Sequence, residues 1–165
     1  MHVLLAEDND VNQRLCKKWF HRIGCSYAIV NNGREALEYL TSPPEMCQPP
    51  DLILMDVSMP VISGIEATAI IRNELPITHD HKFRSIPIIG LAAHMGMAVS
   101  RYPLIAVGMN DVLPKPIRLG PLTQLLLQYS RFEPVPVGPG ASQARMAPAW
   151  GPMPMRRFPG PKSRL

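Results

Sequence analysis

The sequence predicts a doubly wound α/β domain on a five-stranded parallel sheet, followed by a tail that does not share its core. Three observations carry that prediction. Short apolar runs alternate with amphipathic stretches between residues 1 and 130; the runs are apolar at consecutive positions; and the composition changes abruptly after residue 130. Strands that are apolar on both sides and separated by helices imply a parallel sheet covered on both faces and joined by right-handed crossovers.

The elements follow in order. His2 to Ala6 reads as the first strand, and Asn9 or Asp10 offers an N-terminal cap for a helix over 11–23. Ala28 to Val30 is the second strand, followed by a helix over 33–41. Leu52 to Met55 is the third, and Ser63 can cap a helix over 64–74. Ile86 to Leu91 is the fourth. The helix expected over 95–107 contains Gly96 and Pro103, which each oppose a regular helix, so it should be short or kinked. Val112 and Leu113 form the fifth strand, and a helix over 120–130 closes the folded unit at residues 1–130.

Residues 131–165 contain eight prolines and four glycines, a composition that sustains neither helix nor central strand and reads as an extended, disordered tail. Lys and Arg number 11 against 12 Asp and Glu in residues 1–130, and 6 against 1 in residues 131–165, so the net charge of +4 belongs to the tail. No DNA-binding module accompanies Arg156, Arg157, Lys162 and Arg164, and no direct nucleic-acid partner is expected. Cys16, Cys25 and Cys47 lack the spacing of a zinc or redox pair and read as reduced thiols. No apolar run approaches a membrane span, and no signal peptide is evident, so the expected setting is intracellular, cytoplasmic or nuclear.

In doubly wound sheets, residues just past the carboxyl ends of the strands gather in one crevice. Glu7 and Asp8 follow the first strand, Asp56 the third and Lys115 the fifth. Hard carboxylate oxygens suit Mg²⁺, which prefers one or two carboxylates with water and a phosphate oxygen. Carboxylates so clustered repel one another, and a metal ion with the Lys115 ammonium is the expected compensation. Asp56 can then attack a phosphoryl donor as an ionised carboxylate, with no general base, while Lys115 pairs with an oxygen of the transferring group. Any one of these acids alone reads as a cap or a solvated loop residue; the coincidence of four groups on one edge is what points to chemistry.

Leu4-Leu5-Ala6-Glu7-Asp8-Asn9 with Val11-Asn12-Gln13, Leu54-Met55-Asp56 with Met59-Pro60 and Gly64, and Gly108-Met109-Asn110-Asp111 with Leu113-Pro114-Lys115-Pro116 jointly resemble a response-regulator receiver, of the kind found in hybrid histidine kinase phosphorelays. The resemblance covers residues 2–130. It implies a flavodoxin-like strand order 2-1-3-4-5, and a protein that catalyses its own phosphorylation without turning over small substrates. It further implies that Asp56 accepts phosphate from a histidine, that Asp8, Asp56 and the Ser58 carbonyl bind Mg²⁺, that Glu7 acts through water, and that Lys115 contacts the phosphoryl group. A sensor histidine kinase or a histidine-phosphotransfer protein is the implied partner, docking near Val11, Leu15 and Pro116, and Lys115-Pro116 is often cis in the family.

The sequence departs from that pattern where receivers carry a hydroxyl and an aromatic. Ala92, or Ala93 when counted back from the fifth strand, stands in place of Thr or Ser, and Val112 in place of Tyr or Phe. Acceptance of phosphate is therefore expected to survive better than the conformational switch it normally drives. A phosphorylation-independent binding scaffold is the alternative from another class. An aspartyl phosphatase acting on small substrates is the third, and Ser58 opposes it, because haloacid-dehalogenase-like enzymes carry a second acid two residues after the nucleophile. Met59-Pro60 and Gly64 are expected to shape the loop after Asp56, with Gly64 permitting the turn. His94 is read as a loop histidine at the rim, and Glu74 to Arg84, with His79, Asp80 and His81, as a solvated insertion.

Overall fold

The five apolar runs form one parallel sheet in the order β2-β1-β3-β4-β5, the order that the resemblance implies. In this computed structural model, residues 1–73, 85–93 and 101–130 are described, all within one unit, Met1–Pro134. The strands are β1 (His2–Ala6), β2 (Ser26–Val30), β3 (Leu52–Asp56), β4 (Ile88–Ala92) and β5 (Asp111–Pro114). The helices are α1 (Asp10–Ile23), α2 (Gly33–Thr41), α3 (Gly64–Asn73), α4 (Arg101–Val107) and α5 (Leu119–Ser130). The insertion at Glu74 to Arg84, the positions of His94 and Gly96, and the tail from residue 131 lie outside the described residues.

Alternation along the central strands divides the core in two. Leu4 and Ala6, Ile53 and Met55, and Ile88 pack on one face with Ala36 and Leu40 of α2, Ala67 and Ile71 of α3, and Leu104 of α4. Val3 and Leu5, Leu52 and Leu54, and Ile89 and Leu91 pack on the other with Cys16 and Phe20 of α1 and Leu122, Leu125 and Leu126 of α5. Each fully buried Leu or Ile contributes about 1.5–3 kcal/mol, so both layers hold the sheet. The registers Leu5↔Leu54 and Ala6↔Met55 bring the ends of β1 and β3 level, which puts the residues that follow them at one edge.

Local chemistry sets the ends of the helices. Asn9 caps α1, accepting from the Val11 and Asn12 amides, and Gly24 closes that helix at φ 84°, where a side chain would be strained. Ser63 and Glu66 make a reciprocal capping box at α3; at α2 the Asn32 Oδ1 accepts from the Glu35 amide while its Nδ2 donates to the Glu35 carboxylate. Pro103 falls in the first turn of the seven-residue helix α4, where a missing N–H costs little. Of the helix expected over 95–107, the described residues show Arg101–Val107, and Gly96 lies outside them.

The role expected of Gly64 needs correction. Its φ lies outside the left-handed region, and Val61 at φ 68° makes the turn instead. Gly64 is required for close approach: a Cβ there would lie 2.0 Å from the Asp56 carbonyl oxygen and 2.8 Å from Met55 Cγ. Helix α3 thus starts directly against the end of β3.

Candidate functional site

Three strand ends converge on one crevice. Glu7, the first residue past β1, is fully buried, and its amide donates to the Val30 carbonyl at 3.0 Å. Asp56, the last residue of β3, is 5% exposed. Lys115 follows β5, its amide donating to the carbonyl of Ala92 at 2.7 Å, with a cis peptide bond to Pro116. The four residues that the sequence places at this edge, Glu7, Asp8, Asp56 and Lys115, are brought together there.

The Lys115 ammonium lies between two carboxylates. Its Nζ donates to Asp56 Oδ2 at 2.6 Å and makes an ion pair with Glu7 Oε2 at 2.7 Å. Asp56 Oδ1 accepts from the Ser58 amide at 3.2 Å. Burial pushes the Asp56 carboxyl above its ordinary value; hydrogen bonds from Lys115 and Ser58 act against that shift, and the charge of Glu7 adds to it. For Lys115, burial favours the neutral amine, but the hydrogen bonds and charges of Asp56 and Glu7 overcome it and hold the ammonium above its ordinary value. The two shifts are compatible because two buried carboxylates share one ammonium.

Asp8 is the exposed member of the cluster. Glu7, Asp8 and Asp56 can each offer a carboxylate oxygen, and these atoms lie within 4.8 Å of one another. Three carboxylates balanced by one ammonium leave an excess of negative charge, and a set of hard oxygens of this size fits a divalent cation such as Mg²⁺. Ser58 is exposed beside Asp56.

The β4 side of the crevice is apolar. Ala92 ends β4 and pairs with Pro114, while Ala93 lies beyond the strand and is exposed; neither carries a hydroxyl. Val112 is half-buried against the core cluster that contains Ala92. Of the three positions expected to dock a partner, Val11 is 69% exposed and Pro116 is exposed, whereas Leu15 is half-buried and does not stand out from α1 as expected.

Sequence reasoning quoted Asn12 and Gln13 as parts of a motif without giving them roles. Asn12 Nδ2 donates to Glu7 Oε1 at 3.1 Å, and Gln13 Nε2 donates to the Glu7 carbonyl at 2.7 Å and to Asn31 Oδ1 at 3.0 Å. The available signal was a pair of amide side chains in the first turn of a helix that begins beside a buried acid. Arg72 was also missed. It donates to the carbonyls of Gly108 and Ile86 and to Asn110 Oδ1, all at 2.9 Å, and so ties α3 to the start of β4 and the loop before β5.

Comparison with known proteins gives one consistent answer. Residues 3–127 match the family described as the response regulator receiver domain. The chain is 34% identical over 128 residues to the transcription factor SKN7 of Saccharomyces cerevisiae, covering 78% of this chain and 18% of that protein. It spans 18% of the length of SKN7 and 6–15% of the length of seven histidine kinases that it resembles. Among solved structures, it resembles the receiver domain of the sensor histidine kinase PA1611 from Pseudomonas aeruginosa, which has a magnesium ion coordinated in its active-site cleft. That similarity has a TM-score of 0.64 at 31% identity and covers 78% of this chain and 95% of that one. It also resembles the receiver domain of Saccharomyces cerevisiae Ssk1, crystallised with the histidine phosphotransfer protein Ypd1, with a TM-score of 0.64 at 29% identity, covering 78% of this chain and 88% of that one.

Proposed function

This chain belongs to the response regulator receiver domain family, and from that premise we propose that it is a phosphorelay acceptor whose Asp56 takes a phosphoryl group from a phosphohistidine protein. One observation carries the reading: a nearly buried Asp56 carboxylate bonded to the Lys115 ammonium at 2.6 Å, within a cluster of three carboxylates. In the transfer, a bond forms between an Asp56 carboxylate oxygen and phosphorus. The phosphorus–nitrogen bond of the donor breaks, and its electron pair returns to the imidazole. Asp56 needs no general base, because it reacts ionised.

The chain's own residues position and neutralise. The Ser58 amide and Lys115 hold the Asp56 carboxylate from two sides, and Lys115 can follow the arriving phosphoryl oxygens because its ammonium already lies at the nucleophile. Asp8, Asp56 and the Ser58 carbonyl are the proposed holders of Mg²⁺, with Glu7 acting through water; the ion would neutralise charge on the transferring group. The acidic cluster supports this, as does the magnesium in the PA1611 receiver. A sensor histidine kinase or a histidine-phosphotransfer protein is the proposed partner, with Val11 and Pro116 on its docking surface; the Ssk1 receiver crystallised with Ypd1 supports that partner class.

The proposed output is weak. Without a hydroxyl at Ala92 and an aromatic ring at Val112, phosphorylation lacks the side chains that would carry it into a movement of the β4–β5 side. A receiver that stores or passes phosphate better than it switches follows from that pairing.

The test is incubation with a phosphorylated histidine-phosphotransfer protein and Mg²⁺. The expected result is an acid-labile, base-labile label that disappears in Asp56→Asn and in the presence of EDTA. Label that survives Asp56→Asn, or no label at all, would favour the phosphorylation-independent scaffold.

A further inference from the structure

We propose that Asn12 is a positioning residue of the acceptor site, one that fixes the orientation of the Glu7 carboxylate so that one of its oxygens faces the crevice. Glu7 is fully buried, and its carboxylate divides its two oxygens between different tasks. Oε1 points to the start of α1, where it accepts from Asn12 Nδ2 at 3.1 Å and from the Asn9 amide at 3.2 Å. Oε2 points into the crevice, to Lys115. The terminal torsion of a glutamate is broad, so nothing intrinsic to Glu7 selects this orientation. Its backbone is already held by the Val30 carbonyl and by Gln13, which leaves the carboxylate as the remaining freedom.

Asn12 is suited to remove that freedom. Its own amide is satisfied by the Asn9 cap at 3.2 Å, and its side chain reaches back five residues, away from the helix, to a charged acceptor. An amide donor orients a carboxylate without adding charge to a cluster that is already short of cations. Donors that orient the ligands around a metal site are commonly worth about tenfold or more in metal affinity.

This inference rests on the proposed binding of a divalent cation in the crevice. The experiment is a Mg²⁺ titration followed by backbone amide shifts of Asp8 and Ser58, on the natural chain, Asn12→Leu, Asn12→Ala, Glu7→Gln and the double variant Asn12→Leu/Glu7→Gln. Both Asn12 variants are expected to weaken Mg²⁺ binding by about tenfold, with melting temperatures in EDTA close to that of the natural chain. In the Glu7→Gln background, the Asn12 substitution is expected to have no further effect, because it acts through Glu7. Unchanged affinity in both Asn12 variants, beside a natural chain that binds Mg²⁺, would overturn the assignment and leave the acceptor site standing. Equal weakening with and without Glu7 would also overturn it. A natural chain that does not bind Mg²⁺ removes the metal reading and this inference with it.

Discussion

The two ends of the sheet bury polar side chains in opposite ways. At the amino end, His2 is 5% exposed and neutralises no charge in the core: its Nε2 meets the Tyr39 hydroxyl and its Nδ1 the Ser26 hydroxyl, both at 3.0 Å. At the carboxyl end, the buried carboxylates of Glu7 and Asp56 share the half-buried Lys115 ammonium, with one more carboxylate than ammonium and Asp8 beside them. The first arrangement is satisfied by neutral hydrogen bonds and needs nothing further. The second carries a deficit of positive charge, which costs stability and is the mark of a site that receives a cation and an anionic group.

Removing Lys115 tests that contrast most severely. Lys115→Met leaves two buried carboxylates without their shared ammonium, and breaking a buried pair from one side costs about 3 kcal/mol or more. The loss should appear in urea unfolding in EDTA and be partly recovered in Mg²⁺, since the cation binds only the folded site. Equal stability of Lys115→Met and the natural chain in EDTA would show that the charged end is not held by this pair.

Restoring the missing hydroxyl sharpens the comparison within the crevice itself. Ala92 ends β4 with its carbonyl bonded to the Lys115 amide, so a hydroxyl added there would stand at the strand end next to Lys115 without removing that backbone bond. A hydrogen bond to a charged group contributes about 1.5–3 kcal/mol, or roughly tenfold to a hundredfold in a two-state equilibrium. Ala92→Thr should therefore spread the amide shift changes caused by a beryllofluoride mimic with Mg²⁺ further along β4 and β5 than they reach in the natural chain. An equally extensive response in the natural chain would show that the switch does not need the hydroxyl.

What the sequence disclosed follows the same division. Strands β1 and β3 are buried at every position and read directly, and because strand ends are local, Glu7, Asp56 and Lys115 could be placed from the sequence. Strand β2 was read two residues short because Ser26 is exposed and Tyr27 half-exposed, so its first positions carry no apolar signal. Strand β4 begins two residues later than the apolar run, after Pro87, which has no N–H to give to a ladder. The roles of Asn12, Gln13 and Arg72 depend on where a long side chain ends, and for Arg72 on partners 36 and 38 residues away, which no local pattern encodes. Gly64 was noticed for the wrong reason: its importance lies in packing against Asp56, which is visible only once the two elements meet.

The neutral end makes the smallest and most specific prediction. Tyr39 gives its one proton to the Gln48 carbonyl at 2.8 Å, so His2 Nε2 must be the donor to Tyr39, and Nδ1 of the neutral ring can accept from the Ser26 hydroxyl, whose proton also reaches the Met1 carbonyl at 3.4 Å. A second proton on the ring would make Nδ1 a donor to Ser26, whose own proton would then go to the Met1 carbonyl. Burial lowers the His2 pKa, against the attraction of Asp51 and together with the repulsion of the amino terminus. The unfolded chain therefore binds the proton more tightly than the folded one. The stability that this group contributes is complete above the unfolded value of about 6.5 and is lost as pH falls through the lower folded value. Urea unfolding in EDTA should show stability falling as the pH drops below the unfolded value of about 6.5, and His2→Gln should flatten that slope without changing Mg²⁺ affinity at the other end of the sheet. An unchanged slope in His2→Gln would mean that the charged end, not His2, sets the acid sensitivity of the fold.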